Sequence, residues 1–164
     1  SAGRRMGGGS MDLLDFARTL ELGGAPALAD AAVRQRVAEF SVRSRAIELT
    51  GLRIWSALSQ GRMPGPEASL VKLVGVRLAQ EIASYAMDLQ GSAGVITDEA
   101  FACDSGKWQQ RYLGAPGMRI AGGTDEVLRN IIAERVLQLP PELRADKGTP
   151  FREVPNGPPR KSDP

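Results

Sequence analysis

The residues best placed to do chemistry gather late in the chain, in Gly122-Gly123-Thr124-Asp125-Glu126. Two glycines break the chain, Thr124 opens a helix, and two acids follow inside its first turn. A helix start carries unpaired N–H groups and a partial positive charge, which Thr, Asp and Glu suit. Glycine backbone lets a bound group come close to that helix end. Binding is the chemistry on offer, and simple helix capping accounts for the same residues. Acid–base catalysis has few carriers. The chain has no histidine, which removes Ser-His-Asp triads, Cys–His pairs, imidazole zinc sites and Glu-x-x-His metal pairs. Carboxylates, Lys or Tyr are left. The single cysteine, Cys103, allows no intrachain disulfide and no thiolate metal cluster, and it fits a reducing compartment. No metal site is expected.

These residues must be positioned by helices. After the Gly-rich start SAGRRMGGGS, read as a tag or linker over 1–10, a short amphipathic helix is predicted from Met11 to Leu22, ended by Gly23-Gly24-Ala25-Pro26. A long helix follows from Ala27 to Gln60. Its apolar stripe is Val33, Val37, Phe40, Ile47, Ile54 and Leu58, with small Ser44 and Gly51 on the same line to admit a neighbour. Trp55 is expected to pack with that stripe. The break Gly61 to Pro66 precedes a second long helix to Leu89, with stripe Leu70, Val74, Leu78, Ile82, Tyr85 and Leu89. So short a turn requires the two long helices to pack antiparallel.

From Gln90 to Ala121 glycines interrupt the pattern, and only short helical pieces such as Lys107 to Leu113 are expected. Val95, Ile96, Phe101, Trp108, Tyr112 and Leu113 should cap one end of the bundle. The last helix is predicted from Thr124 to Leu139, with Leu128, Ile131, Ile132 and Val136 on its buried face and Pro140-Pro141 stopping it. The domain is thus expected over 11–140, and an extended tail over 141–164 that is ordered where Phe151 docks. No stretch reads as a strand. The fold class is all-α, an antiparallel up-and-down helical bundle.

Composition bounds the partners. The 164 residues suffice for one domain with a core. Lys plus Arg is 21 and Asp plus Glu 19, a net +2, which gives no argument for nucleic acid. Arg34, Arg36, Arg43, Arg45 and Arg53 cluster, but Glu39 and Glu48 are interleaved, as on a solvated or subunit-facing helix side. Lys72 is expected to lay its stem along the bundle and keep its ammonium in water. No apolar run reaches membrane-spanning length, so neither a membrane nor a nucleic-acid partner is expected, and a cytoplasmic location is.

Several motifs, in order, resemble the C-terminal helical domain of acyl-CoA dehydrogenases of actinobacterial type. They are Val33-Arg34-Gln35-Arg36-Val37-Ala38, Pro64-Gly65-Pro66-Glu67-Ala68-Ser69 with Val71-Lys72-Leu73, Met87-Asp88-Leu89-Gln90-Gly91-Ser92-Ala93-Gly94, and Gly122-Gly123-Thr124-Asp125-Glu126 running on to Leu137. The resemblance implies an oxidoreductase in which FAD lies between a β-domain and this bundle, and in which an acyl-CoA thioester is oxidised to the trans-2-enoyl product. Fatty-acid or steroid side-chain catabolism would be its setting. Carried over, the flavin contacts are Gly123, Thr124 and Glu126. The family's base often stands immediately before the Gly-Thr pair, a place held here by Gly122, so no catalytic residue is assigned. Asp88 replaces the usual Gln and Ser92 one of the paired glycines where the family reaches a neighbouring subunit's flavin. The Arg-x-x-Phe-Gly flavin motif is unmatched, since Phe16-Ala17-Arg18 precedes Gly23-Gly24 without its spacing. The resemblance therefore implies part of a dehydrogenase that is inactive alone, joined to others as a homo- or hetero-oligomer through the bundle. The alternative is a non-catalytic helical interaction or scaffold subunit that supports a catalytic partner.

Overall fold

The computed structural model describes residues 8–63, 65–141, 146 and 148–154. Residues 1–7, Pro64 and most of the tail lie outside the described residues. The chain folds as an all-α antiparallel bundle, and the described residues form five helices, one very small hairpin and short 3-10 turns.

Helix α1 (Gly8–Thr19) starts three residues before Met11, so Gly8 to Ser10 of the Gly-rich start are helical. It buries Leu13, Phe16 and Ala17. It stops at Thr19 because residues 21–26 form a two-stranded antiparallel hairpin, β1 (Glu21–Leu22) with β2 (Ala25–Pro26), turned by Gly23-Gly24. The sequence had suggested no strand. Two residues per strand are too few to show the alternation that identifies one.

Helix α2 (Ala31–Ser59) is capped by Asp30, whose carboxylate accepts from the N–H groups of Ala32 at 2.7 Å and Val33 at 3.4 Å. Val33, Val37, Phe40, Ser44 and Ile47 are buried, the steps of four and three that the stripe requires. Helix α3 (Glu67–Leu89) buries Val71, Leu78, Ile82, Ala83 and Ala86, while Leu70 and Val74 of the expected stripe are exposed. The two helices run antiparallel. Phe40 meets Tyr85 with ring centroids 5.7 Å apart, Arg43 pairs with Glu81 at 2.5 and 3.0 Å, and a methyl at Gly75 would lie 3.7 Å from Ile47. The numbers rise on one helix as they fall on the other. The α2 arginines otherwise pair along their own helix, Arg36 with Glu39 and Arg45 with Glu48.

A 3-10 turn over Gly91–Val95 follows α3. Gly94 is buried there, and a Cβ would approach the Met87 carbonyl oxygen to 2.7 Å, so only glycine fits. The next 14-residue segment is a full helix, α4 (Lys107–Ile120), not the short pieces expected. Gly114, Pro116 and Gly117 argued against it in sequence. Trp108, Gln109 and Ala115 are buried, and their packing on α3 overrides those propensities. Trp108 is fully buried and its ring centroid lies 5.5 Å from that of Phe16. The other residues expected to cap the bundle do not. Phe101 is 77% exposed, and Val95, Ile96, Tyr112 and Leu113 also reach solvent.

Helix α5 (Asp125–Arg135) ends before the prolines, and Val136 is exposed. Phe151 is 96% exposed and does not dock. Trp55 is 65% exposed as well, against the expected packing. It lies beside an open apolar groove of about 1020 Å³ between the C-terminal half of α2, the first half of α3, and α4. Gly51, Ile54, Leu58, Gly75 and Met118 line it, so the small residue Gly51 admits no neighbour within the described residues.

Candidate functional site

The Gly122-Gly123 turn links α4 to α5, and the residues singled out in sequence meet there. Both glycines have left-handed backbone, φ 69° and 107°. Thr124 is the N-cap of α5, accepting from the N–H of Val127 at 3.4 Å. A pocket of about 270 Å³ opens beside it, lined by Gln80, Pro116, Arg119, Ile120, Thr124, Asp125 and Glu126.

Gly122 has open space around it. Its φ of 69° nonetheless strains any L side chain, so the turn as built does not favour a glutamate in the place of a base. Gly123 and Thr124 are half-buried, and Glu126 is exposed. The hydrogen bonds from the N–H of Glu126 itself and from the Thr124 hydroxyl hold the Glu126 carboxyl below its ordinary range. Glu126 thus folds back over the start of its own helix.

Asp125 stands in the first turn of α5, as read in sequence, and is also buried, 4% exposed. Its Oδ2 accepts from Arg77 Nε at 2.9 Å and from Arg119 Nη2, and Arg77 Nη2 stands in ion-pair contact with it at 2.9 Å. The Arg119 bond first, and the Arg77 bond after it, hold its carboxyl below the usual range against the effect of burial. Arg77 comes from α3 and Arg119 from the last turn of α4, so this one carboxylate ties α5 to both. Arg119 also reaches Gln80 at 3.4 Å.

Lys72 departs from expectation in that its ammonium is not left to water alone. It donates to the carbonyl of Arg119 at 3.1 Å and to the carbonyl of Gly123. Arg119 O is one of the carbonyls left without an intrahelical partner at the end of α4, so the cation also sits at the negative end of that helix. Lys72, Arg77 and Arg119 bring three cationic groups to the turn against the two carboxylates of Asp125 and Glu126. Sequence reasoning missed all three. Basic residues on a helix carry no mark of what they will face.

The turn fits one edge of a phosphate-bearing cofactor and not the whole of one. Left-handed glycines, helix-start N–H groups, a hydroxyl donor and an excess of cations suit an anion. The pocket is below the range of roughly 300–1,000 Å³ usual for small-molecule sites. Among the described residues no group of three or more His, Cys, Asp or Glu is arranged to hold a metal, and no helix is long and apolar enough to cross a membrane.

Comparison with known proteins gives this architecture a family. The family model described as "Acyl-CoA dehydrogenase, C-terminal domain" matches residues 2–137. The chain is 29% identical over 140 residues to acyl-CoA dehydrogenase FadE34 of Mycobacterium tuberculosis, covering 85% of this chain and 18% of that protein. Among solved structures, the ChsE4-ChsE5 complex of Mycobacterium tuberculosis superposes with a TM-score of 0.70 at 25% identity, over 84% of this chain and 36% of that one. A glutaryl-CoA dehydrogenase of Mycobacterium smegmatis, solved in complex with FADH2, shares the fold with a TM-score of 0.67 at 18% identity, over 81% of this chain and 34% of its own. The chain thus spans about a fifth of that curated relative's length and about a third of the structural neighbours.

Proposed function

The chain belongs to the acyl-CoA dehydrogenase family, as a C-terminal helical domain, and from that premise we propose that its Gly122–Thr124 turn forms one edge of the flavin site of an α,β-dehydrogenase acting on an acyl-CoA thioester. FAD, when bound, supplies the oxidant that accepts hydride from the β-carbon. This chain's part is to hold it. Gly123 offers close backbone, Thr124 a hydroxyl, and Glu126 a carboxylate suited to ribose hydroxyls. The observation that carries this reading is the turn itself, left-handed at both glycines and fixed to α3 by Lys72 and by the Arg77–Asp125 pair. Gly122 can neither accept a proton nor be replaced without strain, so the base belongs to another segment or another chain, and the 164 residues are inactive alone.

A specific feature favours a second role beside the first. The open apolar groove, with exposed Trp55 at its edge, is a surface for a helical partner, and the chain also serves as an interaction subunit of a homo- or hetero-oligomer. One of the similar structures is itself a complex of two named proteins.

The test is flavin titration of the purified chain, followed by flavin fluorescence, with acyl-CoA-dependent acceptor reduction measured alongside. Saturable binding without turnover is expected. Absence of any flavin binding sinks the cofactor role and leaves the interaction role.

A further inference from the structure

We infer that Lys72 is the positioning residue of the Gly122–Thr124 turn, acting as an ammonium clamp across it. The inference deepens the flavin-edge reading and rests on geometry that stands without flavin. Nζ of Lys72 donates to the carbonyl of Arg119 at the end of α4 and to the carbonyl of Gly123, the second of the two glycines, immediately before the cap of α5. Gly122 and Gly123 are the residues with the most backbone freedom to lose, and no Cβ limits them. One ammonium therefore closes a loop that the glycines leave open. The same lysine comes from α3, so the turn is referenced to the centre of the bundle.

The clamp is distinct from the neighbouring latch. Arg77 and Arg119 hold the side chain of Asp125, the first residue of α5, and so dock that helix. They place no hydrogen bond on the glycine carbonyls. Loss of Lys72 frees the peptide planes of the turn while α5 stays docked. Its effect is local, whereas a merely structural lysine would weaken the whole bundle. Lys72 also lines the apolar groove.

The experiment is amide hydrogen exchange on the whole chain, without flavin, for the wild type, Lys72→Met and Lys72→Arg. Hydrogen bonds from a charged donor predict that Lys72→Met raises exchange roughly tenfold or more at Ala121, whose N–H closes the last turn of α4 on the Gly117 carbonyl. Amides of Leu78 to Ala86 should stay within about twofold, and Lys72→Arg should restore most of the protection at the turn. Unchanged exchange at the turn, or an equal rise throughout α3, overturns the clamp. A measurement on the wild type alone guards against a variant that does not fold. The Lys72 ammonium should give a persistent 15N–1H signal at low temperature with contacts to the Gly123 α-protons, and a signal absent at every temperature overturns the inference. Flavin titration then separates the two readings. Weaker binding to Lys72→Met supports both, and no binding to the wild type counts against the flavin role alone.

Discussion

Thr124 is where capping and cofactor binding can be told apart, because one substitution keeps the cap and weakens the binding. Thr124→Ala removes the acceptor for the Val127 N–H. Loss of a threonine cap costs about 0.5–2 kcal/mol. The bond is long, 3.4 Å, so the lower half of that range applies. For a chain of this size each kcal/mol moves the midpoint of thermal unfolding by about 2–4 °C, which predicts a fall of about 1–5 °C. Thr124→Asp keeps a cap at least as good and adds a negative charge at a helix start. The neighbouring Glu126 offsets part of that gain, so the midpoint should stay within about 2 °C of wild type. Flavin affinity should not follow. Losing a hydroxyl bonded to a charged group weakens binding by about 10- to 150-fold. An added carboxylate meets a phosphate at the turn with repulsion of about 1 kcal/mol in a water-like setting and about 4 kcal/mol at an effective dielectric near 20, at least about fivefold in affinity. Circular dichroism melts and flavin fluorescence titrations measure both quantities on the same samples. If Thr124→Asp binds flavin as the wild type does, or if affinity simply tracks the melting midpoint across the set, Thr124 is a cap and nothing more.

Acid should act through carboxyls whose folded values lie below the ordinary range. Glu81 is held down by Arg43, Asp125 by Arg119 and then Arg77, and Glu126 by its own N–H and Thr124. Each favours the fold above its unfolded value near pH 4, and its contribution is lost as pH falls through the lower folded value. With no histidine in the chain, the thermal midpoint should be level from about pH 7 to 5 and drop below about 4, less steeply in Asp125→Asn; a fall between pH 7 and 5 contradicts this. In the core, Phe40→Ala should cost about 3–5 kcal/mol by chemical denaturation and exposed Phe101→Ala within about 0.5, and the reverse order would refute the assigned packing. Light scattering should show dimers or larger species that grow with concentration, and fewer in Trp55→Ser; a clean monomer at high concentration counts against the groove as an interface.

The fold was legible where the physics is local. The steps from Val33 to Ile47 read as a buried stripe, because a helix imposes its period whatever it packs against, although the start predicted at Ala27 overran Asp30, which is the observed cap. The same stripe continues through Ile54 and Leu58, yet there it faces the open groove. A period reports which face is apolar and not whether a neighbour covers it. Trp55 was misplaced for that reason, and Phe101 and Phe151 for a related one, since an aromatic side chain is taken as core by default. Helix α4 failed in the other direction. Its glycines and Pro116 are honest local signals, outweighed by the burial of Trp108, Gln109 and Ala115 on a distant helix.

At the candidate site the boundary between legible and hidden falls between side chains and backbone. Gly122, Gly123 and Thr124 read as a chain break and a cap from their types, as they stand in the structure, and Glu126 was singled out only because its position matches a family motif. Asp125 was read only as a partner of the helix dipole: an acid in the first turn has a sufficient local reason to be there, which concealed its burial between arginines from α3 and α4. Lys72 was harder still. Its acceptors are the carbonyls of Arg119 and Gly123, and every residue carries a carbonyl, so nothing in the sequence of the acceptor can announce the bond. What makes those two carbonyls available is that one ends a helix and the other precedes a cap, both outside any helical hydrogen-bond ladder. A lysine one turn into a helix that packs against such a junction has a partner ready, and only the tertiary arrangement of α3 against the α4–α5 turn determines that Lys72 is that lysine.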